Sequence, residues 1–300
     1  SGFGPKGPHA KWPAMDILGQ ARGGTMMMQG PPDLAPIFCF GGMADQVGAM
    51  FLSYGVLIAL WHRARTGEGQ QVDASLLGGQ VALQSFNITQ TLFSGRVFPP
   101  RHSEEADAMW NVYECRDGRY IAVSMAQGDR WWGPLCRAID RMDLHDDERF
   151  CSFQQRIANS RELIGEFGGV FKQRDQWDWV NYLSGECGLP VTPVQDYGQV
   201  IEDPQVLAND YIVPYEHPYA GPLRIVGPGV QLSASPGTIR HAAPQFGHLR
   251  VGLAPLRQRV HVGGDRRAAR VGGGGTALAI GWVDSANGGT AVLAGVLRVQ

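Results

Sequence analysis

Two spacings of apolar residues alternate along the chain. Residues 13–24, PAMDILGQARGG, carry apolar positions at helical spacing and stop at a glycine pair, which predicts a short helix. IFCF at 37–40 is a brief unbroken apolar run, read as a buried strand that delivers the chain to Gly41 and Gly42. After Asp45 the text is almost free of charge over 46–60, then meets HRAR and Gly67. That predicts a long buried helix with cations in its last turn and Gly67 in the left-handed position beyond it. QQVDASL at 70–76 alternates as a strand does and leads into a helix over 77–93. Strand, helix, strand, helix predicts an α/β layer that binds ligands at the carboxyl ends of its strands.

The texture changes near SGRVFPPRHSEEADAM, where Gly, Pro and charges mark a linker. WNVYEC and RYIAVSM then flank an Asp117-Gly118 turn, the pattern of a β-hairpin. Amphipathic helices are predicted over DRWWGPLCRAI, over SFQQRIANSRELIGEFGGVFKQ and over DQWDWVNYLSGE, the last stopping at Gly188 before Pro190. No basic stripe accompanies their tryptophans, so these are read as core residues rather than a base-stacking platform. A hairpin with helices makes a small α+β domain.

The 300 residues suggest about two domains, and 44% hydrophobic content suffices for a sizeable core. A net charge of −2 calls for neither a nucleic-acid nor a membrane partner, and no apolar run is expected to reach the roughly 18 residues of a bilayer span. Cys39, Cys115, Cys136, Cys151 and Cys187 are scattered and form no C-x-x-C pair, as expected of a reducing, cytoplasmic setting. The histidines form neither H-x-x-H nor H-E-x-x-H, so no metal site is expected.

The candidate chemistry centres on Asp45. Aspartate is a favoured N-cap, because its oxygen accepts a backbone N–H that the first helical turn leaves unpaired. The same helix N-terminus stabilises the charged carboxylate, which could then serve as a nucleophile, with Gly41 and Gly42 letting a substrate come close to the backbone. Cap and nucleophile are compatible, and local sequence does not separate them.

The order of motifs resembles the class III CoA-transferases (CaiB/BaiF type), a family that includes formyl-CoA transferases and α-methylacyl-CoA racemases. The matching stretches are SGFGPKGP, MDILGQARGG, ADQVGAMFLSYGVLIALWHRARTGEGQQVDASLL, VYECRDGRYIAVSM, DERFCSFQQRIANSRELI, GLPVTPVQDYGQVIEDPQVLAND and RHAAPQFGH, in family order over residues 1 to about 248. The A-D-x-x-x-G helix start followed by R-T-G-x-G-Q is the most specific of them.

The resemblance implies an α/β fold: part of a Rossmann-like, CoA-binding large domain at 1–95, a small α+β domain at 96–222, and a return segment at 223–248, in a family of interlocked homodimers. It implies CoA transfer from an acyl-CoA to a small carboxylic acid through an aspartyl intermediate on Asp45, with coenzyme A thioester as substrate and no permanently bound cofactor. Asp16 stands where formyl-CoA transferases carry a carboxylate, in a supporting role or simply as a polar helix residue. Gln20, Lys11, Gly41 and Gly42 are the implied CoA contacts. The chain departs from the racemases, which place a His before that Asp where Met15 stands and an acid near Gln127. Since methionine moves no proton, racemisation is disfavoured. The glycine run that formyl-CoA transferases carry before the hairpin is replaced by PPRHSEEADAMW, whose His102 reads as a surface residue.

Against the family pattern, about 100–150 residues of the front are expected to be missing. The rival expectation is therefore a non-catalytic fragment that folds around a partner. Residues 249–300 hold Gly- and Arg-rich text without helical period and are expected to be an out-of-frame, poorly packed tail. One permitted coding of Val260–Ala269, read one base later, gives the acidic helix text FTWEEIAEL that the family carries there.

Overall fold

The structure is a computed structural model that describes residues 1–97, 100, 102–126 and 128–240, and the backbone of 282–284 and 290–292. The chain divides into two compact units, one of Ser1–Arg101 with Arg250–Gln300 and one of His102–Leu249.

The first unit is built on helices α1 (Asp16–Gly23), α2 (Met43–Thr66), α3 (Leu76–Leu83) and α4 (Ser85–Ser94). Glycines stop three of them: Gly24, Gly67 and Gly95 each take a left-handed φ and donate a backbone N–H to the last turn. Ser75 Oγ caps α3 by accepting from Gly78 N at 2.9 Å. Close approach of α1, α2 and α3 depends on small residues. A Cβ on Gly19 would stand 2.9 Å from Ala44 Cβ and 3.0 Å from Leu76 Cβ, and one on Gly79 would stand 3.2 Å from the backbone nitrogen of Gly48. Residues 1–2 run beside the approach to α3, with Leu76 N and Leu77 N donating to Ser1 O and Gly2 O at 3.1 and 3.0 Å.

Several local expectations are corrected here. IFCF forms no strand: Ile37, Phe38 and Phe40 are exposed in an irregular segment, and no strand pairs with it among the described residues. Gln71 makes an isolated bridge and 70–76 is otherwise irregular. The helix expected over 77–93 is two helices, parted at Gln84, whose Nε2 donates to Gly23 O, Thr25 Oγ1 and Gln80 O. No strand occurs among the described residues of 1–101, so the strand–helix alternation of a Rossmann-like layer is absent from them. Helix α2 is also not a buried helix, since Met50, Tyr54, Leu57 and Trp61 are exposed along it. By length and composition it is apolar enough to cross a membrane, with a mean hydropathy of 1.5, which corrects the expectation about apolar runs. Core helices of globular domains pass the same test.

The second unit holds a three-stranded antiparallel sheet in the order β1 (Trp110–Glu114), β2 (Tyr120–Ser124), β3 (Val191–Val194). The hairpin forms about Asp117-Gly118, with Gly118 at φ 73° and Cys115 N donating to Arg119 O. Strand β3 arrives from beyond the helices and pairs Val194 with Tyr120 and Val191 with Val123. Helices α5 (Gly128–Ala138), α6 (Met142–His145), α7 (Phe153–Ala158), α8 (Ser160–Phe171) and α9 (Gln176–Val180) cover the sheet, and α9 runs on as a π-helical stretch, Asn181–Glu186, that ends before the left-handed Gly188. The helix expected over 152–173 breaks at Asn159, whose Nδ2 donates to Arg149 O. The core comprises Tyr113, Ile121, Trp132, Phe150, Phe167 and Phe171 among others, with Phe171 edge-on to Trp179 at 5.4 Å.

Two short helices, α10 (Tyr197–Val200) and α11 (Pro204–Ala208), precede a second hairpin of β4 (Ile212–His217) and β5 (Gly221–Val226). Residue 223, where a return segment was expected to begin, lies inside β5, which pairs back on β4. Of 249–300 only the backbone of β6 (Trp282–Asp284) and β7 (Thr290–Val292) is described, so the expectation of an out-of-frame tail otherwise falls outside the described residues.

Candidate functional site

Helix α2 begins after two left-handed glycines, Gly41 at φ 92° and Gly42 at φ 78°, a bend that residues bearing a Cβ rarely adopt. Its N-cap is Gly42, which has no side chain to offer, so the first-turn N–H groups must find an acceptor elsewhere. Asp16, at the start of α1, supplies it: Oδ1 accepts from Ala44 N at 2.6 Å and from Asp45 N at 3.2 Å. Asp45 is thus not the cap of its own helix. It stands in the first turn, half-buried, and its carboxylate accepts no hydrogen bond among the described residues. The capping duty falls to a carboxylate 29 residues upstream of Asp45.

The release of Asp45 from capping has an electrostatic consequence. Burial, and secondarily the negative charge of Asp16, raise the Asp45 carboxyl above its ordinary value. The expectation that the helix terminus alone would hold Asp45 as a stabilised anion is therefore corrected: Asp16 occupies the helix end and opposes a second negative charge there.

Asp45 opens onto a cleft of about 340 Å³ lined by Met15, Asp16, Ile17, Phe38, Cys39, Phe40, Gly41, Gly42 and Asp45. Four of the sequence candidates meet in it: Asp45, Asp16, Gly41 and Gly42. A Cβ placed on Gly42 would come 3.9 Å from Asp45 Oδ2, so the carboxylate lies over the glycine bend. Gly41 N and Gly42 N make no hydrogen bond among the described residues. Met15, 52% exposed, brings a thioether to the rim and no proton-transfer group.

Two candidates do not line the cleft. Gln20 is fully buried beneath it: Nε2 donates to Asp16 Oδ2 at 2.7 Å and to Cys39 O at 2.9 Å, and Oε1 accepts from Cys39 N at 2.9 Å. Its amide is committed to protein and cannot face a nucleotide. Lys11 is exposed in the loop before α1 and outside the cleft lining. Gln127 lies outside the described residues. Phe38, Cys39 and Phe40 are wall residues that the apolar pattern, which reads as a strand, does not reveal. The one hint was their position against the glycine pair. Among the described residues no group of acids, histidines and cysteines is arranged to hold a metal ion. Burial pushes the thiols of Cys115 and Cys136 up to about 11 and about 12, which keeps them as apolar filler. A hollow of about 280 Å³ in the second unit, lined by Ile201, Ile212, Arg224, Ile225 and Val226, gathers no comparable set, and Arg224 is engaged with Glu202.

Residues 1–249 match the model of CoA-transferase family III. Among curated proteins, the chain is similar to (R)-2-hydroxy-4-methylpentanoate CoA-transferase of Clostridioides difficile, 27% identical over 212 residues, which is 70% of this chain and 53% of that protein. It is similar to succinyl-CoA–D-citramalate CoA-transferase of Chloroflexus aurantiacus, 27% identical over 82% of this chain and 61% of that protein. Acetyl-CoA:oxalate CoA-transferase of Acetobacter aceti is 29% identical over 71% of this chain and 54% of its own length. The chain therefore spans little more than half the length of these relatives. In fold it matches the crystal structure of a CAIB/BAIF family protein from Brucella suis, with a TM-score of 0.71, 24% identity, and coverage of 83% of this chain and 64% of that one.

Proposed function

The chain belongs to CoA-transferase family III, and from that premise we propose that its cleft moves coenzyme A from an acyl-CoA thioester to a small carboxylic acid, with Asp45 as the covalent nucleophile. The observation that carries this reading is the arrangement of Asp45 and Asp16. One carboxylate caps the helix, so the other stands over the glycine bend with its oxygens unengaged. A carboxylate whose pKa is raised by burial is also the more basic nucleophile once ionised.

The chemistry balances without an oxidant or a net proton. A carboxylate oxygen of Asp45 attacks the thioester carbonyl, the C–S bond breaks, and CoA leaves as thiolate, giving a mixed anhydride on Asp45. The thiolate attacks Cγ of that anhydride, releasing the donor acid as carboxylate and leaving Asp45 as a CoA thioester. An incoming carboxylate attacks Cγ and expels the thiolate, which then attacks the new acyl carbon and frees Asp45. Each tetrahedral intermediate carries an oxyanion that needs N–H donors. Asp16 already takes Ala44 N and Asp45 N, so in this reading the oxyanion donors come from the N–H groups of Phe40, Gly41 and Gly42, which line the cleft and make no hydrogen bond among the described residues.

The partners in this reading are an acyl-CoA, a small carboxylic acid and a second copy of the chain, in the cytoplasm, with no permanently bound cofactor. Racemisation is the disfavoured alternative, because Met15 offers no base; a 2-methylacyl-CoA incubated in deuterated water should take up no α-deuterium. A second reading, a chain that is inactive until a partner covers it, is favoured by the bare apolar face of α2. The decisive test is Asp45→Asn. Exchange of labelled CoA between thioesters should be lost while circular dichroism is unchanged, and the wild-type peptide containing Asp45 should carry CoA by mass spectrometry. Retained exchange in the Asn variant sinks the nucleophile. If wild type shows no exchange while an added partner segment restores it, the second reading holds.

A further inference from the structure

Gln20 is a polar side chain with no exposed surface, placed under the floor of the cleft. Burying an amide is tolerable only when its donors and acceptor are matched, and here every match leads to a part of the site. Nε2 donates to the C=O of Cys39 and Oε1 accepts from its N–H, each at 2.9 Å, so one amide pairs with both backbone groups of that residue as a neighbouring strand would. The remaining N–H goes to Asp16 Oδ2 at 2.7 Å. With Oδ2 fixed in this way, the plane of the Asp16 carboxylate turns Oδ1 onto Ala44 N and Asp45 N. Gly19, the residue before, lets α1 press against Ala44 closely enough for the relay to span the gap.

We propose that Gln20 is a positioning residue, whose one amide sets both the cleft wall at Cys39 and, through Asp16, the first turn that presents Asp45. The functional part of this rests on Asp45 being the nucleophile; the geometric part does not. No contact with CoA is required of Gln20. Its effect is to fix two walls relative to each other, so that an acyl group held against one meets the carboxylate on the other.

The test uses the 300-residue chain with Gln20→Leu and Gln20→Glu, read by residue-resolved hydrogen exchange and by the pH profile of carbodiimide labelling at Asp45. A buried amide that loses its acceptor, or whose acceptor is no longer held in place, opens more often, so in Gln20→Leu the amides of Cys39, Ala44 and Asp45 should exchange about tenfold faster, with Val56 unchanged. Gln20→Glu keeps an acceptor for Cys39 N but sets a second anion against Asp16. Protection at Cys39 should then survive while that at Ala44 and Asp45 is lost. In Gln20→Leu the labelling midpoint of Asp45 should fall as Asp16 leaves the helix end, a shift that a merely structural loss would not produce selectively. Unchanged exchange at Ala44 and Asp45, an unmoved midpoint, or failure of both variants to fold overturns the proposal, because a positioning role requires a fold that outlasts its removal. If exchange and midpoint behave as expected while Asp45→Asn still exchanges CoA, the relay stands and the nucleophile assignment falls.

Discussion

Among the described residues of 102–249 a set of large apolar side chains is inside: Phe150, Phe167 and Phe171 are fully buried and Trp132 and Trp179 nearly so, while Trp110 and Tyr197 are among those left exposed. In Ser1–Arg101 the same kinds of residue lie outside, with Phe40 82% and Trp61 66% exposed and Phe86, Leu92 and Phe93 bare along α4. Yet the candidate chemistry gathers in the half with the thinner core. The second unit closes a sheet with helices over one face and needs little else to exclude water. The first packs three helices through glycines and small residues, leaves their outer faces apolar, and orders its cleft by buried polar contacts instead. A site held by a few directional hydrogen bonds is sharply placed but has little bulk packing behind it, whereas a core of interlocked aromatics is stable and chemically silent. The contrast separates where stability resides from where reactivity does.

The comparison can be broken most forcefully at Phe167. Truncating a buried phenylalanine to alanine costs about 3–5 kcal/mol, so Phe167→Ala should strip hydrogen-exchange protection from β1, β2 and α8 while leaving α1 to α3 as they were. Equal loss in α1 to α3 would show that the two units unfold as one. Next in size, Asp16→Ala removes the acceptor for Ala44 N and Asp45 N, and loss of a cap costs about 1 kcal/mol. Exchange should rise in the first turn of α2 with the second unit untouched, and an unchanged first turn would refute the cap.

A smaller effect is expected from charge at Asp45. Its folded-state pKa is raised, so ionising it opposes folding, and this cost is full above the folded pKa and vanishes below the unfolded one. Asp45→Asn should therefore melt slightly above wild type near neutral pH, with the difference gone once both states are protonated. A variant that melts lower at neutral pH would contradict the sign. Smallest of all is Trp61→Ser: an exposed side chain whose ring meets the Arg65 guanidinium at 5.7 Å should change stability by less than about 0.5 kcal/mol. A large loss of melting temperature would mean that Trp61 is covered in solution, which would sharpen the second reading of the chain as one half of an interface.

What depends on near neighbours is legible in the chain. Asp117-Gly118 specified a hairpin, because such a turn suits the twist of paired strands. Gly24, Gly67 and Gly188 marked helix ends, because the left-handed position favours a residue without Cβ. The spacing from MDIL to ADQVG, read with the family pattern, brought Asp16 and Asp45 to attention together. How they divide the work depends on the packing of one helix against another. Four N–H groups at a helix start demand acceptors, but nothing local says whether these come from the next residue or from another helix. Here α1 lies against α2 across Gly19, and Asp16 takes the duty that Asp45 was expected to perform. IFCF reads as a strand because four apolar residues in a row suit one; without a partner strand it became a cleft wall, pinned by Gln20. Strand β3 joined the hairpin from some seventy residues away, since β-pairing is satisfied by whichever backbone edge the fold brings alongside. Local sequence fixes conformations whose energies are local; which polar group satisfies which, and which apolar run is covered, is settled only when distant segments compete for the same surface.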